Sequence, residues 1–90
     1  MNPPVKLYVT TYCRYCRRAE RLLEAKGVSF EEVDVTEDEA ARAELVARTR
    51  WRTVPVIFVG DHLVGGFDEL YALNKTGELD RLLAALAPSD

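Results

Sequence analysis

The order of strand-forming and helix-forming segments in this sequence predicts an α/β fold, a four-stranded mixed sheet flanked by helices. Three observations carry that expectation. Lys6–Thr10, a run of β-forming residues, leads directly into a segment with helical periodicity. Val54–Val59 is almost continuously apolar, as expected of a central strand covered on both faces. Leu79, Leu82, Leu83 and Leu86 follow the i, i+3, i+4, i+7 spacing of a helix that buries one stripe.

Taken in order, Lys6–Thr10 forms the first strand after Pro3 and Pro4, and Thr11-Tyr12 is a short loop. A helix starts at about Cys13: Cys16, Ala19, Leu22, Leu23 and Lys26 recur near a 3.6-residue period, and Gly27 stops it. Val28–Val35 reads as the second strand. Thr36 is expected to cap the second helix, with Glu39 in capping-box register and an acidic first turn that suits the helix dipole. That helix runs to about Arg48 and draws its buried positions from Ala40, Ala43, Leu45 and Val46. Trp51-Arg52-Thr53 connects it to the apolar strand, and Gly60-Asp61 turns the chain into His62–Val64 as a hairpin. Gly65-Gly66 breaks the chain, Asp68–Lys75 is helical up to about Gly77, and the leucine stripe closes the sequence.

Length and composition narrow the function classes. Ninety residues, 48% hydrophobic and 30% charged, leave room for one small domain spanning 1–90 and exclude low complexity. A formal charge of −3 argues against general nucleic-acid binding. No apolar run approaches the roughly 18 residues of a membrane span. Met1-Asn2-Pro3-Pro4 is too short and polar to open a secretory signal, so a cytoplasmic protein is expected. Arg14, Arg17, Arg18, Arg21, Arg48, Arg50 and Arg52 flank the motif segments, either as a solvated surface or as a field that steers an anionic partner.

The two cysteines, Cys13 and Cys16, carry the chemistry. A disulfide between them closes too short a loop to staple a fold. One CxxC and a single His62 do not make a four-ligand zinc site. Thiol or redox chemistry remains, with packing cysteines as the plain alternative. A helix starting at Cys13 would point its unpaired N–H groups and positive end at that sulfur and favour the thiolate, the nucleophile of disulfide exchange. Cys16, one turn further in, would be shielded. Position alone therefore assigns attack to Cys13 and resolution to Cys16. Pro55 opens a strand, which fits either a cis peptide exposing the Val54 backbone or an ordinary trans proline at a strand edge. Gly65-Gly66-Phe67-Asp68-Glu69 fits either a plain turn with a cap or a helix start that holds a carboxylate through its N–H groups and an ammonium through Asp68.

TYCRYC followed by RTVPVIFVGDHLVGGFDEL resembles a glutaredoxin of the dithiol class, and the likeness spans nearly the whole chain. The resemblance implies a thioredoxin-like fold with sheet order 2-1-3-4 and the third strand antiparallel to the first. It implies glutathione-dependent reduction of protein disulfides and of protein–glutathione mixed disulfides, with Cys13 as nucleophile and Cys16 as resolving thiol. Tyr15 and Thr53 would line the groove, and Val54 would pair with the cysteinyl part of glutathione beside a cis Pro55. Gly66, Phe67, Asp68 and Glu69 would surround the γ-glutamyl end, and Arg42 would reach the glycine carboxylate. Two residues depart from the family pattern: Arg14 stands where Pro is usual and Thr10 where Lys is common. The expected partners are glutathione and disulfide-containing or glutathionylated proteins, met by a monomer that needs no metal, nucleic acid or membrane. The alternatives are a redoxin reduced by a flavin reductase or another small thiol, and a [2Fe–2S] carrier in which two chains share a cluster through Cys13 and two glutathiones.

Overall fold

The computed structural model describes residues 4–86; Met1, Asn2 and Pro3 of the expected opening, and residues 87–90, lie outside the described residues. The elements are β1 (Val5–Val9), α1 (Arg14–Ala25), β2 (Phe30–Asp34), α2 (Glu39–Thr49), β3 (Val56–Val59), β4 (His62–Gly65), α3 (Phe67–Thr76) and α4 (Glu78–Leu86). The strands form one sheet in the order β2-β1-β3-β4. β1 runs parallel to β2 and antiparallel to β3, and β3 and β4 form an antiparallel hairpin. This is the mixed sheet and the strand order that the resemblance implies.

Strand periodicity decides what each face does. Val5, Leu7 and Val9 of β1, with Ile57 and Val59 of β3, point to one side. There they join Cys16, Ala19 and Leu23 of α1, Leu70 of α3 and Leu79 of α4 in the main core. Lys6, Tyr8 and Phe58 fall on the other side, with Tyr8 and Phe58 in an edge-to-face contact at 6.0 Å.

Several boundaries differ from expectation, each for a local reason. β3 begins at Val56 because Pro55 has no N–H to give to a ladder. β2 is trimmed to Phe30–Asp34, although Val35 is fully buried beyond it. Asp38, not Thr36, caps α2, its Oδ1 accepting the Ala41 N–H at 2.9 Å. Thr36 is engaged elsewhere: its hydroxyl donates to Asp34 and accepts the Thr11 N–H at 2.9 Å. Of the apolar positions expected to be buried in α2, Leu45 is buried and Val46 partly so, while Ala40 and Ala43 are exposed. α3 starts at Phe67 rather than Asp68, with Gly66 as its N-cap.

Candidate active site

Cys13 is the N-cap of α1. Its backbone is extended (φ −84°, ψ 115°), and its Sγ accepts the Cys16 N–H at 3.0 Å. The usual caps use a side-chain oxygen to satisfy one of the first turn's four unpaired N–H groups; here sulfur fills that place. No acidic residue sits in the first turn of α1, so nothing there neutralises the positive helix end that acts on the sulfur. The Cys13 thiol also donates to the Val54 carbonyl at 3.5 Å.

Cys16 lies one turn inward and is fully buried, and both thiols are free. Burial above all pushes the Cys16 thiol up to about 12, helped by its hydrogen bond with Cys13 and by the Cys13 charge, and opposed by the Thr10 backbone and Arg17. At neutral pH Cys16 stays protonated. Only Cys13, partly exposed at the helix end, can meet a partner sulfur.

The arginines expected beside Cys13 are divided among other tasks. Arg17 pairs with Glu20 at 2.8 Å and donates to the Thr10 and Thr11 carbonyls, each at 3.3 Å, tying the loop before Cys13 to α1. Arg18 stacks its guanidinium 5.1 Å from the centre of the Tyr15 ring. Arg14 is exposed. Thr10, at the position where a lysine is common in the family, is fully buried with its hydroxyl unpartnered, so that position is closed to solvent.

Facing Cys13 is the segment before β3. The Val54–Pro55 peptide bond is cis, and the Val54 N–H has no backbone partner among the described residues. The third wall is the Gly65-Gly66 turn, where Glu69 reaches back so that its Oε1 accepts the Gly66 N–H at 3.1 Å. Asp68 and Glu69 are exposed in the first turn of α3. The Phe67 ring stacks at a tilt on Tyr15, 6.2 Å between centres.

A groove of about 330 Å³ brings together Tyr15, Thr53, Val54, Gly66, Asp68 and Glu69. Trp51 also lines it, a residue read from the sequence only as a connection. No local pattern marked it, because the glycine pair on which its ring packs lies fourteen and fifteen residues downstream. On the far side of Thr53 and Val54, a second narrow recess is lined by Arg42, whose Nη1 lies 3.5 Å from the Tyr12 hydroxyl. Of the expected site residues, six line the groove, Arg42 lies in the recess that shares Thr53 and Val54 with it, Cys13 meets it at the Val54 carbonyl, Phe67 stacks on Tyr15, and Pro55 is buried. A cleft of about 370 Å³ on the opposite sheet face, between Lys6, Tyr8, Arg48 and Phe58, holds neither cysteine.

Two thiols of unequal access, one helical turn apart, can pass a disulfide between a partner and the chain, which places the molecule among the thiol–disulfide oxidoreductases. Comparison with known proteins narrows the class. A family model described as Glutaredoxin matches residues 5–64. The chain is 47% identical over 83 residues to a glutaredoxin of Pseudomonas aeruginosa, covering 92% of this chain and 99% of that one. It is 46% identical over 79 residues to glutaredoxin 3 of Escherichia coli, covering 88% and 95%. Among solved structures, the buckwheat glutaredoxin–glutathione complex superposes with a TM-score of 0.87 at 29% identity over 92% of this chain and 78% of that one. The Brucella melitensis glutaredoxin gives 0.80 at 44% identity, over 91% and 89%. The chain belongs to the glutaredoxin family.

Proposed function

We infer that this chain uses glutathione to reduce protein disulfides and protein–glutathione mixed disulfides. The observation that carries the reading is the placement of Cys13 as the sulfur cap of α1, with Cys16 buried one turn behind it. The Cys13 thiolate attacks the glutathione sulfur of a mixed disulfide, forming Cys13–S–S–glutathione and releasing the protein thiolate. A second glutathione, as thiolate, then attacks the glutathione sulfur of that adduct, giving oxidised glutathione and restoring the Cys13 thiolate. With a protein disulfide, Cys13 bonds one substrate sulfur and releases the other as thiolate, and Cys16 resolves this adduct. The Cys16 thiol loses its proton and attacks Cys13, leaving a Cys13–Cys16 disulfide and a fully reduced substrate. Two glutathiones afterwards reduce the Cys13–Cys16 disulfide and leave as oxidised glutathione. Adduct formation removes the Cys13 charge and its hydrogen bond, two of the causes that hold the Cys16 thiol up, so Cys16 ionises more readily once it is needed.

The groove supplies the binding. The unpaired Val54 N–H suits an extended peptide backbone, the first turn of α3 at Phe67-Asp68 offers N–H groups to a carboxylate, and Asp68 and Glu69 offer charge to an ammonium. Tyr15 walls the groove near Cys13, and Arg42 offers a cation at the opposite end. The buckwheat glutaredoxin, solved in complex with glutathione, supports this ligand. The test is a reductase-linked assay on a glutathionylated peptide with two electron sources. Turnover is expected with glutathione and glutathione reductase. Turnover only with a flavin-dependent thioredoxin reductase would overturn the reading.

A further inference from the structure

The geometry points to Trp51 as a specificity-determining residue of the groove: its indole, beside Asp68 and Glu69, selects small thiols that carry an ammonium group at the end remote from sulfur. The inference rests on the glutathione reading and sharpens it.

Trp51 is held from behind. Its N–H donates to the Thr49 hydroxyl at 3.1 Å, and that hydroxyl donates to the Leu45 carbonyl at 2.7 Å, fastening the connection to the last turn of α2. The ring lies directly against the glycine pair. A Cβ on Gly65 would stand 2.8 Å from Trp51 Cη2, and one on Gly66 would stand 3.5 Å from Cζ2 and Nε1. Gly65 also has φ +113°, so indole and turn fit together only because no side chain intervenes.

The choice of an indole has a cost. Trp51 Nε1 is buried without a hydrogen-bond partner, and an unpaired buried donor destabilises a fold. A phenyl ring would fill much of the space without that cost. What indole adds is the most electron-rich face among the aromatic side chains, the best partner for a cation. Asp68 and Glu69 line the same groove, and neither forms a salt bridge among the described residues. Ring and carboxylates favour a cation, while the N-terminus of α3 beside them favours an anion. A group that satisfies both is a zwitterion, and the free α-amino and α-carboxyl groups of a γ-glutamyl residue are one.

The experiment uses reduced full-length protein in excess over a fluorogenic peptide linked by a disulfide either to glutathione or to N-acetylglutathione, whose amine is blocked. Single-turnover release of the peptide gives a second-order rate constant for each, and their ratio reads ammonium selection. Wild-type protein is expected to prefer the unblocked adduct. Trp51→Leu should lower that ratio about tenfold, the loss expected of a partly desolvated cation–π contact. Trp51→Phe should recover part of it. Alkylation of Cys13 by iodoacetamide, at a rate equal to wild type, verifies that the variants are folded. A ratio unchanged in Trp51→Leu, even with both rates lowered, would make Trp51 a steric wall and overturn the inference while leaving the glutathione reading standing. A wild-type protein inert toward the glutathione adduct would overturn both.

Discussion

Cys13 and Cys16 are separated by one helical turn and by nearly all of their access to solvent, and their variants should part accordingly. Cys13→Ser is expected to abolish turnover of glutathione mixed disulfides, since no other thiol reaches the surface at the helix end. Cys16→Ser should retain much of that activity, because glutathione can resolve the Cys13 adduct, but should lose most reduction of protein disulfides. Equal behaviour of the two in a reductase-linked assay would refute the assignment. The Cys16 thiol, pushed up to about 12, stays protonated throughout the neutral range. Iodoacetamide at pH 7–8 should therefore add one label, located at Cys13 by peptide mass spectrometry. At this scale the site was largely legible. CxxC between a strand and a helix announces its chemistry through spacing alone, and the resemblance placed Val54, Gly66 and Asp68 around it. Trp51 was not legible as part of the site, because its place depends on a turn that approaches from fourteen and fifteen residues downstream, at Gly65 and Gly66.

Between elements, the contact of α1 with β2 carries an unusual charge arrangement. Hydrogen bonding with Glu20 of α1 first, then burial and the Glu20 charge, raise the pKa of Glu32 in β2 from 4.5 to about 7, with Arg17 opposing. Because the folded value lies above the unfolded one, the stabilisation is complete below about 4.5 and is lost as pH rises through about 7. Glu32→Gln should therefore match wild type in urea denaturation at pH 4 and exceed it at pH 8. A constant difference across that range would show that Glu32 does not titrate in the folded state near 7. The same scale shows why helix starts were harder to read than helix bodies. Thr36, Asp38 and Glu39 all suit an N-terminus, and the choice among them depends on Thr36 being occupied by Asp34 and by the Thr11 N–H from another segment. Asp38→Ala should consequently cost about 1 kcal/mol, measurable in the same denaturation experiment.

Across the whole molecule, the elements were legible because each buries what its period exposes: alternating residues of β1, the apolar run of β3, the leucine stripe of α4. What periodicity did not report was depth. Leu79 is fully buried in the main core, whereas Leu86, in register on the same stripe, is 41% exposed and rests against Gly60. Leu79→Ala should cost about 2–5 kcal/mol by leaving a cavity, enough to lower the unfolding midpoint visibly. Asp80, which meets Lys26 at the C-terminal cap of α1 at 2.8 Å, should contribute less than about 1 kcal/mol when removed.

The strand order leaves β2 at one margin of the sheet, with a row of backbone donors and acceptors facing no other strand among the described residues. Such a row invites a second chain to continue the sheet. In β2 it is written as Phe-Glu-Glu-Val-Asp, so two copies meeting margin to margin would crowd the carboxylates of Glu31, Glu32 and Asp34 from both strands across a spacing of about 5 Å. Repulsion built into this edge strand thus opposes self-pairing through it, and it is a barrier that protons can remove. Light scattering of the purified protein should be lowest at pH 8, begin to rise as Glu32 takes up its proton near 7, and climb further toward pH 4. Replacing Glu31 and Glu32 by Gln should bring that climb to neutral pH, where added salt would steepen it.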